Sequence, residues 1–314
     1  MCFSFAVLIS HRKEHLIVQQ NANSQNLFMN VKECFCPTSM DQALALLSEH
    51  NSTLRICAGG TDLFIMMRKG KTDAPYLMDI SKLGLSYIRE NDDSYSIGAM
   101  TTLTEVERSL LFTQEPFLAL RRAAGWVGSP QIRNAATLIG NICTGISSAD
   151  VSTPLLTLDA SVRVVNSRGC RELSLSDFFL GPRKVNIGPD ELVAEIILPK
   201  FPAGNYRTAF RKVGTRKELF ISIFNMAALL KMNGGLVESA RFAMGVMAPT
   251  PIRLYQTEAY LTKKTLTPDV TKTAIEIMCS EVHPRTSHHA SKEYRILLAQ
   301  NLLGRFLSGQ AINP

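Results

Sequence analysis

A short apolar run at residues 54–57 stops on Ala58-Gly59-Gly60-Thr61-Asp62, and a helical pattern begins at once over residues 63–68. A strand, a glycine turn and a helix in such close succession restrict this chain more than any other stretch of it. Two glycines directly after a strand allow positive φ, and without Cβ atoms their backbone N–H groups can come close to a ligand. Successive N–H groups at such a turn form a nest for an anion, and the following helix start adds partial positive charge. A pyrophosphate suits that geometry. No G-x-G-x-x-G follows, so this is not the Rossmann fingerprint. Taken alone, a Gly-Gly pair is more often a plain tight turn.

A second stretch also departs from ordinary core or surface sequence. Ala136-Thr137-Leu138-Ile139-Gly140-Asn141-Ile142-Cys143-Thr144-Gly145 leads into Ser147-Ser148-Ala149-Asp150. Its small residues, hydroxyls and amide offer many short-range donors, as a wall against phosphates and sugars requires. Asp150 is placed to accept hydrogen bonds from ribose hydroxyls, as acidic residues do in other dinucleotide sites. The bland alternative is a buried Ser/Thr-rich loop that satisfies its own backbone. Together the two stretches suggest a pair of phosphate-contacting loops that hold an extended dinucleotide.

The rest of the pattern frames them. Ser39-x-x-Gln42 signals a capping box, after which Met40, Leu44 and Leu47 fall on one helical face. Thr102-x-x-Glu105 is a second box, opening a short helix through Leu110, and residues 117–126 form a further helix. Residues 96–100, Val162 with Val164, and 192–198 look like strands. Residues 199–205 carry two prolines and a glycine and make the best linker. Beyond it, apolar strands at 221–232 and 237–244 are joined through Asn233-Gly234-Gly235, a strong hairpin signal. Ser291 caps a terminal helix whose expected buried stripe is Tyr294, Leu298, Leu302 and Phe306. The chain therefore divides near residue 200 into a larger α/β part and a smaller α+β part.

Composition narrows the function classes. At 46% apolar and 19% charged residues the chain reads as globular, and no apolar run approaches the length of a membrane span. The net charge is +7, but basic residues are scattered and Trp126 is the only tryptophan, which speaks against nucleic acid. Seven cysteines at irregular spacing match no disulfide framework, so a reducing cytoplasm is expected. Cys34-x-Cys36 lacks further ligands at a recognisable spacing, so a metal site held by this chain is not expected. Residues 1–28 lack the positive start and cleavage site of a signal peptide. They read as a disordered extension or as translation from a start upstream of Met29.

On these motifs the chain resembles the FAD-binding subunit of bacterial xanthine dehydrogenase, within the wider molybdenum hydroxylase family. The resemblance runs from about Met29 to Leu307. It rests on AGGTDL at 58–63, GSPQIRN at 128–134, TLIGNIC at 137–143, SAD at 148–150, APTPIR at 248–253 and PRTSHHASKEYR at 284–295. It implies an α+β protein: a two-subdomain FAD-binding fold of the PCMH/vanillyl-alcohol-oxidase type over 29–200, dividing near 85, then a C-terminal α+β domain over 206–314. It implies that Arg55, Ile56, Cys57, Ala58, Gly59, Gly60, Thr61 and Asp62 wrap the FAD pyrophosphate. It likewise implies that Ala136, Thr137, Leu138, Ile139 and Gly140 form the second phosphate loop, with Asn141 and Thr144 beside it. Asp150 would lie near the adenosine ribose, Leu192 in a strand beside the flavin and adenine, and Lys212, next to Arg211, near the flavin.

The implied partners are a molybdenum-cofactor large subunit and a small subunit with [2Fe–2S] clusters. Electrons would pass from the clusters through FAD to NAD+ or another acceptor during purine hydroxylation. A nicotinate, aromatic-thioester or carbon monoxide hydroxylase is the alternative setting. No general base is expected in this chain. One departure stands out: the family usually has Gly-Gly-Asn where this chain has Ile139-Gly140-Asn141. A β-branched residue strongly disfavours positive φ. If the first glycine needs that conformation, FAD affinity suffers, and a flavin-free scaffold becomes a competing reading; if it serves only close approach, Ile139 is tolerated with its side chain turned away.

Overall fold

The computed structural model describes residues 31–216 and 219–312, together with the backbone of the short strand His15–Leu16. Apart from those two residues, the expectation for residues 1–28 lies outside the described residues. Three layered units follow one another along the chain.

The first is a small mixed sheet in the order His15–Leu16, Glu33–Phe35, Tyr76–Asp79, Leu54–Cys57. The last three strands are parallel, so the two connections between them must be crossovers. Helix Met40–His50 supplies one of them. Ser39 caps it by accepting from the Gln42 N–H, while Gln42 Oε1 accepts from the N–H of Thr38. The expected box is therefore present but closes one residue early.

The second unit is a five-stranded antiparallel sheet, ordered Ile88–Glu90, Ser94–Gly98, Leu192–Pro199, Ser161–Asn166, Gly169–Ser174. Helices Leu103–Arg108, Leu118–Gly125 and Ser152–Thr157 belong to the same unit. The Thr102–Glu105 capping box is complete, but its helix stops at Arg108 and a 3-10 turn, Leu110–Phe112, follows. Leu110 is thrown outward, 85% exposed. One continuous apolar core joins both units, running from Phe35, Leu47 and Met78 through Ile97 and Leu138 to Val162 and Ile196.

Residues 200–204 link Leu192–Pro199 to the third unit, an antiparallel sheet of Asn205–Val213, Phe224–Asn233, Leu236–Gly245 and Ile252–Arg253. Gly234 and Gly235, both at positive φ, make the expected hairpin turn. The central strand is buried on both faces. Met226, Ala228 and Leu230 point into a C-terminal core under helices Tyr255–Leu261, Pro268–Glu281 and Lys292–Leu307. Ala227 and Leu229 point the other way and join the core of the first two units. Side chains alternate across a strand with period two, so an unbroken apolar run is what a strand between two cores must have.

The terminal helix is capped by Ser291 as expected, and Leu302 and Phe306 of the expected stripe are buried with Leu298 packed partly beside them, but the stripe does not begin at Tyr294. Arg295, Ala299, Leu302, Leu303, Phe306 and Leu307 are buried, whereas Tyr294 is 46% exposed. The stripe starts one position later because a charged residue holds an interior place. The Arg295 guanidinium donates to the Val246 carbonyl and the Ser287 hydroxyl, and apolarity alone could not point to it.

Candidate functional site

Strand Leu54–Cys57 delivers the glycine turn to the boundary between the first two units. Gly60 sits at φ +67, in the left-handed region that glycine tolerates. A Cβ built on Gly59 would lie 1.9 Å from the carbonyl oxygen of Ala135 and 3.1 Å from the Cα of Ala136. The two stretches singled out in the sequence are thus in backbone contact, and only a glycine at 59 permits it.

Both present unused donors. Among the described residues, the N–H groups of Ala58, Gly59, Gly60, Thr61 and Asp62 donate to no protein acceptor, nor do those of Thr137 and Ile139. Helix Leu138–Cys143 starts at Thr137, whose hydroxyl caps it by accepting from the Gly140 N–H at 3.0 Å. An antiparallel bridge between Thr102 and Thr137 ties this start to the five-stranded unit. The side-chain oxygen of Asn141 is buried without a partner, while Thr144 donates its hydroxyl to the Asn141 carbonyl. An array of free N–H groups on two touching loops, with an orphaned amide oxygen beside it, fits a diphosphate carrying sugar hydroxyls.

The remaining residues of the first stretch play lesser parts in this geometry. Cys57 is buried, and burial, with Asp79 and the neighbouring Cys34 and Cys36 adding to it, pushes its thiol up to about 12. Ile56 packs partly against the core. The Arg55 guanidinium turns back to the carbonyls of Ser52 and Leu54. Asp62 precedes helix Leu63–Arg68 but makes no capping bond to it; its carboxylate meets Arg183 at 3.2 Å instead.

The Ile139 departure resolves simply. Ile139 lies in the first turn of helix Leu138–Cys143 and is absent from the residues at positive φ. Its side chain, 5% exposed, is turned into the shared core beside Leu138 and Ile142. The close approach falls to Gly140, where a Cβ would meet the Thr137 hydroxyl at 2.7 Å. The conformational objection to flavin binding does not apply.

Asp150, at the end of the second stretch, and Lys212 stand together. Both are buried, with Lys212 Nζ donating to Asp150 Oδ2 at 2.6 Å and to the Trp126 carbonyl at 3.0 Å. Ser222 and Asn225 donate to the other carboxylate oxygen, at 2.5 and 3.3 Å. Burial pushes the Asp150 carboxyl up against the downward pull of Lys212, Ser222 and Asn225. In this arrangement Asp150 fastens the end of the second stretch to the C-terminal sheet. The Val246 N–H donates to the Ser147 carbonyl at the same seam. Arg211 is half-buried on the facing strand, paired in register with Met226, and Leu192 is buried opposite Val165.

Several contributors escaped the sequence reading. Phe220 lies under Lys212 Nζ, 4.6 Å from its ring centre, and meets Trp126 edge to face. Ser222 and Asn225 sit within an apolar strand pattern that gave them no prominence. Arg183 comes from a two-stranded hairpin, Phe179–Gly181 with Lys184–Val185, whose Gly181-Pro182 turn was the only available signal.

Comparison with known proteins gives a consistent picture. Residues 29–201 match the family described as the FAD binding domain in molybdopterin dehydrogenase, and residues 209–309 match the CO dehydrogenase flavoprotein C-terminal domain. The chain is 34% identical over 273 residues to the xanthine dehydrogenase FAD-binding subunit of Escherichia coli O157:H7, covering 86% of this chain and 92% of that one. It is 32% identical over 269 residues to the nicotinate dehydrogenase FAD-subunit of Eubacterium barkeri, covering 84% and 90%. Among solved structures, carbon monoxide dehydrogenase from Hydrogenophaga pseudoflava superposes with a TM-score of 0.82 at 28% identity, over 87% of this chain and 94% of that one.

Proposed function

The chain belongs to the family of FAD-binding subunits of the xanthine and carbon monoxide dehydrogenases, and on that premise we propose that it is the electron-transfer subunit of a xanthine dehydrogenase-type molybdenum hydroxylase. FAD is its cofactor. When bound, FAD supplies a centre that exchanges electrons singly on one side and in pairs on the other. The protein's part is to bind, orient and shield it.

The observation that carries this reading is the backbone contact of Gly59 with Ala135, which brings two sets of unused N–H groups side by side. Residues Ala58 to Asp62 would hold one part of the diphosphate and the start of helix Leu138–Cys143 the other. Asn141 would donate and accept at the adjoining sugar or phosphate. The buried Asp150–Lys212 pair sets the C-terminal sheet against the second loop, which fixes how wide the cleft can open. Lys212 is thereby held beside Trp126 and Phe220.

The partners in this reading are a molybdenum-bearing large subunit and a [2Fe–2S] small subunit. In this reading the electron acceptor is NAD+ or another acceptor, and the compartment is the cytoplasm. Among the described residues no helix is long and apolar enough to cross a membrane. The similarity to a nicotinate dehydrogenase subunit keeps nicotinate as a second substrate class. Purification with partners decides the matter. The assembly should show a flavin spectrum that bleaches on anaerobic addition of hypoxanthine and returns with NAD+. An assembly that contains no FAD and takes none up refutes the redox role, and flavin bleaching by nicotinate but not purines moves the substrate.

A further inference from the structure

Asp62 poses a problem for an anion cradle. Its own N–H is one of the free donors, yet the same residue carries a carboxylate, which would repel a diphosphate held there. It is not serving its own helix, since it makes no side-chain capping bond. What it meets is Arg183, whose Nη1 lies 3.2 Å from Asp62 Oδ2.

Arg183 reaches that place through a contact built into the backbone. It sits at φ +57, a conformation that a residue with a Cβ adopts only when its surroundings impose it. Its N–H donates to the Gly145 carbonyl at 2.8 Å, and Gly145 is itself at φ +60. A Cβ on Gly145 would come within 3.0 Å of the Arg183 Cα. One residue is therefore fastened by its backbone to the end of the second loop and by its side chain to the end of the first. The ion pair is about two-fifths exposed on either side, and pairs so exposed contribute little to stability. Holding the fold together does not account for it.

Two of the basic residues that the resemblance assigns to the cofactor are committed elsewhere. The Arg55 guanidinium is turned to the carbonyls of Ser52 and Leu54, and Lys212 is buried on Asp150. Building on the flavin reading above, we infer that Arg183 is a phosphate-binding residue that spans Asp62 and the diphosphate of the cofactor, cancelling the carboxylate and completing the cradle. A guanidinium suits this task because its planar fork can serve two oxyanions at once, which a lysine cannot match.

FAD affinity measured by flavin fluorescence on the purified assembly after cofactor removal tests this. Arg183→Gln should weaken FAD about tenfold or more, the scale of a lost charge-assisted contact, and flatten the salt dependence of binding. Arg183→Lys should recover only part. Asp62→Asn keeps the backbone N–H of the cradle and removes the repelling carboxylate, so it should tighten FAD, and combined with Arg183→Gln it should restore most of the loss. A hairpin anchor without a ligand role predicts the opposite for Asp62→Asn, because breaking the bridge would then loosen the loops. Arg183→Gln within twofold of the unmodified chain, or weaker FAD in Asp62→Asn, overturns the assignment while leaving the flavin reading intact. An unmodified assembly that binds no FAD overturns both.

Discussion

Replacing Ile139 by glycine would restore the Gly-Gly-Asn expected by resemblance, yet the structure argues that it damages the protein without helping it bind flavin. The side chain is 5% exposed and packed into the core shared by the first two units. Removing a buried isoleucine down to Cβ costs about 2–5 kcal/mol through lost transfer and the cavity left behind. Taking the Cβ as well, within a helix, adds roughly 0.5–1 kcal/mol of backbone entropy. The N-terminal half should therefore lose about 2.5–6 kcal/mol, while Ile139→Val, one methyl smaller, loses about 0.5–1.5 kcal/mol. The backbone at 139 is already helical, so the donor array on the second loop has nothing to gain. Urea titrations followed by circular dichroism on all three proteins, paired with FAD titrations, measure both halves of the claim. An Ile139→Gly protein that is as stable as its parent, or that binds FAD tenfold tighter, would refute the reasoning.

Three further outcomes are expected. Lys212→Met should destabilise the chain by about 3–5 kcal/mol, because it leaves Asp150 buried without its cation. Burial already raises the Asp150 carboxyl, so its proton is held more tightly folded than unfolded. The penalty in Lys212→Met should thus be smallest below the ordinary carboxylate range near about 4 and grow as pH rises through the raised folded value; a pH-independent penalty in urea melts would contradict this. Glu105 behaves in the reverse sense: burial pulls its carboxyl up, but the Thr102 N–H and the hydroxyls of Thr102 and Ser86 together hold it below its usual value. Its stabilisation should be complete above the ordinary carboxylate value and vanish as pH falls through the lowered one, and Glu105→Gln should flatten the acid limb of the stability profile. With its thiol at about 12, Cys57 is thiolate in only roughly one molecule in ten thousand at pH 8, so alkylation should mark exposed Cys170 in the native chain and reach Cys57 only after unfolding; mass spectrometry showing the opposite order would be decisive against it.

The three-unit architecture explains why a site with so few charged side chains can be built at all. The glycine turn comes from a parallel strand of the first unit and the capped helix from the second, and one core spans both, so the relation between the loops is held by packing. The third unit then closes on the second loop through Asp150, Lys212, Ser222 and Asn225. Arg253 adds a second tie, donating to the Leu156 carbonyl and pairing with Glu258 at 2.6 Å and with Asp159. Apart from the Arg253–Glu258 pair these ties join groups far apart in the chain, and only Asp150 of SAD and the arginine of APTPIR lie inside a recognisable motif.

Local chemistry alone determined a good deal of this protein. The Thr102–Glu105 box, the Asn233-Gly234-Gly235 turn, the caps at Ser39 and Ser291 and the strand ending at Cys57 could all be read, because each depends on residues within a few positions of one another. The sequence also picked out the two loops. Their contact through Gly59 and Ala135 could not be read, nor the helical place of Ile139, the interior place of Arg295, or the commitment of Asp150 to Lys212. Those depend on which surfaces meet when the units pack. A buried charge or a missing Cβ carries no mark in the chain of the neighbour, distant in sequence, that makes it necessary.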